Sequence, residues 1–172
     1  MLDRITRSIT SRVSPKKPPS SVVIAVTGPH GSTGKTTVAI NLALELAALK
    51  HRVLLIDGDI QGPAVANHFL LSEQPPGLAA ALRISSQQRF DLDQLQRLSF
   101  QLQKSTLRIM PGSLDVPGQV FDESAIGALL ETARSGFDYT VIDLGCISAG
   151  NESKQNLLTQ CITSLADRTV LV

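Results

Sequence analysis

The sequence predicts an α/β domain: a mostly parallel, twisted sheet with helices on both faces. Three observations carry this. First, VVIAVT (22–27), RVLLID (52–57) and DYTVIDLG (138–145) are continuous apolar runs. Strands buried on both faces have this form, whereas half-exposed strands alternate. Second, amphipathic helical stretches separate these runs, as parallel crossovers require. Third, strand and helix signals go on alternating from Val22 to the end of the sequence, the order of an α/β domain with a parallel sheet.

In chain order, residues 1–13 (MLDRITRSITSRV) place Leu2, Ile5, Ile9 and Val13 at helical spacing, with arginines on the other face. SPKKPPSS (14–21) is a linker that cannot be helix. Residues 1–21 are therefore expected to be a basic segment and linker, and residues 22–172 the domain. After the first strand a helix is expected over 35–49, rich in alanine and leucine. The second strand leads into a short helix, PAVANHFLL (63–71). Pro75, Pro76 and Gly77 break it, and GLAAALR (77–83) starts another. DLDQLQRL (91–98) is helical, and LRIMPG (107–112) is strand then turn. DESAIGALLETARS (122–135) opens on an N-cap and keeps helical periodicity. ESKQNLLTQCITSLAD (152–167) is helix and RTVLV (168–172) strand. The chain stops inside that strand with no closing helix, which reads as a domain truncated at its C-terminus. An unpaired sheet edge there would favour self-association.

Composition narrows the function classes. Apolar residues make up 42% of the 172, too many for a chain disordered throughout. The net charge of +1 argues against wholesale coating of nucleic acid. It conceals an asymmetry: Arg4, Arg7, Arg12, Lys16 and Lys17 face Asp3 alone, so residues 1–21 carry +4 and the remainder −3. That basic segment suits an anionic membrane, DNA phosphates, a protein partner, or plain solvation as a linker. Two cysteines, Cys146 and Cys161, form no CxxC pair, which fits a reducing compartment. No apolar run reaches the roughly 18 residues of a membrane span. The expected location is the cytoplasm, with membrane or polar association open. Cys146 is expected to be a small buried residue and Cys161 a core residue of its helix. His51 and His68 match no metal-ligand spacing.

The functional signal is TGPHGSTGKTT (27–37), between the first strand and the first helix. Open parallel sheets bind ligands at this end of their strands. TGPHGSTG fits TGxxGxxG, a dinucleotide-binding turn of extended short-chain dehydrogenases, with Asp57 placed for a ribose hydroxyl. The catalytic half of that reading fails, because Tyr139 is followed four residues on by Asp143 rather than lysine. GKTT (34–37) instead fits a phosphate-binding loop. Gly34 lets backbone N–H groups approach phosphate oxygens, and with the helix N-terminus they form an anion nest. Lys35 reaches the β- and γ-phosphates, the Thr36 hydroxyl ligates Mg²⁺, and Thr37 contacts the α-phosphate. The usual GxxxxGK[ST] places glycine at position 29. Here that residue is Pro29, and Gly28 precedes it. Asp57 and Asp59 in LLIDGDIQG (54–62), and Asp143 in TVIDLG (140–145), fall at strand ends. Carboxylates there hold Mg²⁺ or orient water.

Together the loop, VLLIDGDIQG, DYTVIDLG and ITSLADRTVLV resemble the ParA/MinD group of deviant Walker-type ATPases, in order over about residues 22–172. PGL (76–78) and LRIMPGS (107–113) also sit where that group has similar segments. The narrower likeness is to the CpaE/TadZ-like branch of pilus assembly and polar positioning. The resemblance implies a Mg²⁺-ATP switch that dimerises face to face and regulates a protein partner in a positioning, pilus or secretion system. By position it implies nucleotide contacts from His30, Gly31, Ser32, Thr33, Gly34, Lys35, Thr36 and Thr37. It implies metal contacts from Thr36, Asp57 and Asp143, and catalytic roles for Lys35, Asp59 and Asp143. Asp59 would position the hydrolytic water.

The family loop is KGGxGKT, and its first lysine crosses the dimer. His30 takes that place here, and Ser32 replaces a glycine. Histidine is shorter and mostly neutral at pH 7, and charge supplied to a transferring phosphoryl is worth ~10³-fold or more in rate. Two alternatives therefore stand beside the ATPase. One is a degenerate scaffold with weak or no hydrolysis. The other is a protein-tyrosine kinase of the same lineage, against which a single tyrosine, Tyr139, weighs.

Overall fold

A computed structural model describes residues 21–31, 33–70, 74–87, 90–114, 122–146 and 153–172. The expected helix over 1–13, nearly all of the linker, and Ser32 lie outside these residues.

The described residues form one six-stranded sheet in the order β3-β4-β2-β5-β1-β6. The strands are β1 (Val22–Gly28), β2 (Val53–Asp57), β3 (Phe100–Gln101), β4 (Leu107–Met110), β5 (Tyr139–Cys146) and β6 (Arg168–Leu171). All pairings are parallel except β3 with β4. The helices are α1 (Lys35–Ala48), α2 (Val65–His68), α3 (Gly77–Gln87), α4 (Leu92–Arg97), α5 (Glu123–Gly136) and α6 (Lys154–Leu165).

Alternate side chains of each central strand enter two separate cores. Val53, Leu55 and Val141 face α1, which buries Ala39, Ile40, Ala43 and Ala47. Leu54, Ile56, Ile142 and Leu144 face α3, α4, α5 and α6. Both faces are therefore covered, which is why these runs show no polar alternation. Caps set the helix starts. Asp91 and Gln94 form a capping box on α4. Asp122 accepts from Ser124 N at α5, and Ser153 accepts from Asn156 N at α6.

Three expectations change. The helix over 63–71 shrinks to the single turn Val65–His68. The antiparallel β3 was not anticipated, since two residues carry no readable period. Asp143 does not end its strand: β5 continues to Cys146 because its far end pairs with the lengthened β1, Gly28 against Cys146.

Candidate functional site

The carboxyl ends of β1, β2 and β5 meet the N-terminus of α1. β1 continues through Gly28, and a Cβ on that glycine would stand 2.3 Å from the Val172 carbonyl oxygen and 3.4 Å from Lys35 Cδ. The glycine missing from position 29 is thus supplied one residue earlier, inside the strand, and Pro29 is exposed beyond it. Gly34 is the N-cap of α1 with φ 91°, a left-handed backbone that favours glycine. No side chain caps this helix, so its first-turn N–H groups stay available to an anion.

Lys35 is only 7% exposed. Its Nζ donates to the His30 carbonyl at 2.6 Å and to Thr33 Oγ1 at 3.4 Å. The loop thereby holds its own cation in place. His30 contributes this backbone oxygen, while its residue as a whole is exposed.

Behind the loop stand two buried carboxyls, Asp57 at 0% and Asp143 at 1% exposure. The Asp57 oxygens accept from Val65 N at 3.0 Å and Asp59 N at 3.3 Å, so this side chain ties the acidic loop to α2. Burial above all pushes its carboxyl up to about 7, with the Asp143 charge adding to the rise and the two backbone donors opposing it. Burial likewise pushes Asp143 up to about 6, against the Thr36 hydroxyl that donates to it and the nearby Lys35 charge. Among the described residues Asp143 Oδ2 is buried with no hydrogen-bond partner, an arrangement that costs free energy unless a cation or donor arrives.

Asp59 is half-buried, and its Oδ1 accepts from Gln61 N at 3.1 Å and Gly62 N at 3.0 Å. It packs on β5 at Gly145, where a Cβ would stand 2.8 Å from that same oxygen. Gly31, Gly34, Lys35, Thr36, Thr37, Asp59, His68 and Cys146 line a cavity of about 320 Å³. Neither Asp57 nor Asp143 is among them; both carboxyls lie behind the lining.

Sequence reasoning missed several contributors. His68 lines the cavity, with Nδ1 paired to the Ala64 carbonyl at 2.9 Å. Cys146 is half-exposed at the cavity wall, not buried as expected, because β5 carries it past the sheet's covered centre. Cys161 is likewise half-exposed and packs against the core from α6. Among the described residues no cluster of three or more His, Cys, Asp or Glu side chains is built to hold a metal. Thr36 beside the unpartnered oxygen of Asp143 nonetheless fits Mg²⁺, which takes one or two protein ligands and fills its shell with phosphate and water.

The family described as CobQ/CobB/MinD/ParA nucleotide binding domain matches residues 24–124. The chain belongs to this family. Its relatives differ in what they do. The iron-sulfur cluster carrier protein of Aquifex aeolicus is 31% identical, over 75% of this chain and 34% of its own length. The solved structure of the septum site-determining protein MinD of Pyrococcus horikoshii, complexed with Mg-ADP, superposes with a TM-score of 0.67 at 22% identity. It covers 88% of this chain and 57% of that one. The VpsO kinase domain superposes with a TM-score of 0.69 at 25% identity, over 99% of this chain and 82% of that one. The chain spans about a third to three fifths of the length of curated relatives it matches. No described helix is long and apolar enough to cross a membrane.

Proposed function

We propose that this ParA/MinD-family domain binds Mg²⁺-ATP and hydrolyses it to ADP and phosphate, as a switch that positions or regulates a cellular assembly. One observation carries the reading. The buried Lys35 and the uncapped first turn of α1 converge on the same strand ends as Thr36 and the unpartnered Asp143 oxygen. An anion nest and a cation site placed side by side are what a metal-bound polyphosphate requires.

In this reading Gly31, Thr33, Gly34 and Thr37 shape and contact the phosphate path, with Ser32 and His30 in the same loop. Lys35 Nζ exchanges the His30 carbonyl for phosphate oxygens. Thr36 and Asp143 hold Mg²⁺, and Asp57 fixes the acidic loop behind them. The metal would neutralise charge on the β- and γ-phosphates. Asp59, at the cavity wall, accepts a hydrogen bond from the attacking water and orients it. Nucleotide-dependent pairing of two copies, a cytoplasmic location, and a protein partner of a positioning, pilus or secretion system complete the proposal. The CpaE/TadZ-like branch remains the narrower reading, and the basic residues 1–21 are its candidate membrane or DNA contact.

Similarity to the VpsO kinase domain over nearly the whole chain favours one second reading, phosphoryl transfer to a protein hydroxyl instead of water. Calorimetric titration with ATP and Mg²⁺ decides first, with Lys35→Ala and an NADP⁺ control. Binding to the wild type and about 10- to 100-fold weaker binding in Lys35→Ala are expected, the worth of hydrogen bonds to a charged group. Phosphate release then separates the candidates. Free phosphate marks the ATPase, phosphate on an added tyrosine peptide marks the kinase, and binding without either marks a scaffold.

A further inference from the structure

Gln155 is the second residue of α6 and is 1% exposed. Its amide is fully engaged. Oε1 accepts from Ile60 N at 2.8 Å, and Nε2 donates to the Gly58 carbonyl at 3.1 Å and to Thr159 Oγ1 at 3.2 Å. The partners fix the orientation of the amide, since a backbone N–H can only donate and a carbonyl can only accept. Its two backbone bonds reach the residues on either side of Asp59, across more than ninety positions of sequence.

Among the described residues Asp59's carboxylate makes only local bonds, to Gln61 N and Gly62 N. Those shape the turn but do not anchor it to the fold. The anchors are the Gly58 N–H bond to the Asp143 carbonyl at 2.7 Å, the Asp57 bond to Val65 N, and the Gln155 amide. Of these only Gln155 grips both flanks of Asp59. A buried glutamine gives up hydration on both ends of its amide, and an apolar side chain would fill the same space without that cost. The amide is therefore tied to what it holds.

We propose that Gln155 is a positioning residue for Asp59, fixing the carboxylate toward the cavity and tying α6 to the nucleotide site. The inference rests on the reading that this site hydrolyses Mg²⁺-ATP. Gln155→Met keeps the length of the side chain and removes the amide. Gln155→Asn keeps the amide but is one methylene too short to reach both flanks. Thr132→Val serves as a control for lost stability, since Thr132 is buried on α5 and its hydroxyl donates to the Phe90 and Ala128 carbonyls, away from the site.

Two measurements on the full chain test this. The first is steady-state phosphate release alongside Mg²⁺-ATP affinity. Both Gln155 variants should lose about tenfold or more in kcat, as a misplaced group does, while affinity stays within about threefold by the same argument. The second is hydrogen exchange at the Ile60 amide in the nucleotide-free chain. It should quicken in both variants and leave the amides of β2 unchanged. Wild-type turnover with unchanged kcat in the Gln155 variants overturns the inference alone. An equal loss of kcat in Thr132→Val, or unaltered exchange at Ile60, does the same. No turnover in the wild type removes the hydrolytic reading and the inference with it.

Discussion

Asp57 and Asp143 lie directly across from each other in the parallel register of β2 and β5, both almost fully buried. Burial above all raises both, to about 7 and about 6, and a neighbouring carboxylate adds to each rise, Asp143 for Asp57 and Asp59 for Asp143. Two carboxyls enclosed this way are costly in the charged form. That cost falls when a cation is close, as the proposed Mg²⁺ would be.

The stability of the nucleotide-free chain should therefore fall as pH rises. Both folded-state values lie above the ordinary carboxyl value of 3.8. Between about 4 and about 7 the native state holds protons that the unfolded state has released, and stability declines with pH throughout that window. Asp122 and Asp167 are held low by Ser124 and Arg134 respectively and act only below it. The midpoint of thermal unfolding should be lower at pH 8 than at pH 5, and Asp57→Asn should flatten the profile. Mg²⁺-ATP should recover the loss at pH 8. A midpoint that climbs from pH 5 to pH 8 without ligand contradicts the account.

Gly145 sets the position of Asp59 by being absent as a side chain. A methyl there would stand 2.8 Å from Asp59 Oδ1 and 2.9 Å from its Cγ. The carboxylate, at the tip of a half-exposed loop, gives way more easily than β5. Gly145→Ala should thus displace Asp59 by several tenths of an ångström while the fold survives. A misplacement of about 1 Å costs about 100-fold in rate, so turnover should fall about tenfold or more with nucleotide affinity nearly unchanged. Parallel measurement of kcat and of Mg²⁺-ATP affinity checks this. Equal losses in both would show instead that Gly145 supports the loop that binds phosphate.

The strands and the glycine–lysine turn into α1 were legible in the sequence because their signals are local. An apolar run buried on both faces, and glycine beside lysine at the start of a helix, need no knowledge of distant contacts. The belonging of the chain to the ParA/MinD family followed from the same segments taken in order, and the comparisons agree. What stayed hidden depends on residues far apart in sequence. Gln155 reaches Ile60 across 95 positions. Gly145 matters only because Asp59 packs on it. His68 enters the cavity because one turn of helix, whose first N–H donates to the buried Asp57, carries it there. Pro29 looked like a defect in the loop until β1 was seen to extend through Gly28.

Gly77 joins two segments, PGL and LRIMPGS, that the sequence reading matched to the ParA/MinD group separately. Its φ is +65°, and a Cβ would stand 2.1 Å from the Pro111 carbonyl oxygen, which accepts from Leu78 N at 2.9 Å. PGL and MPG thus dock on one another and fix the start of α3 at the end of β4. Gly77→Ala meets strain from the left-handed backbone and a clash with rigid main chain. Together they should cost about 2–4 kcal/mol. Urea unfolding reads this as a lower midpoint with an unchanged slope. A loss within about 0.5 kcal/mol, the range of ordinary surface substitutions, would mean that the segment relaxes freely.

The two cysteines should differ in reactivity, and the bound nucleotide should tell them apart. Cys146 is half-exposed and lines the cavity with Lys35, Asp59 and His68. Cys161 packs against the core, and burial first, then Glu123 and Asp122, push its thiol up. The thiolate is the reactive form, so at pH 7.5 an aromatic disulfide reagent should modify Cys146 first. Mg²⁺-ATP occupying the cavity should slow that reaction and leave Cys161 unaffected. Cys146→Ser identifies the faster phase, and Lys35→Ala should remove the protection without changing the unprotected rate. If Mg²⁺-ATP binds by calorimetry yet leaves the Cys146 rate as it was, the nucleotide lies elsewhere than in this cavity.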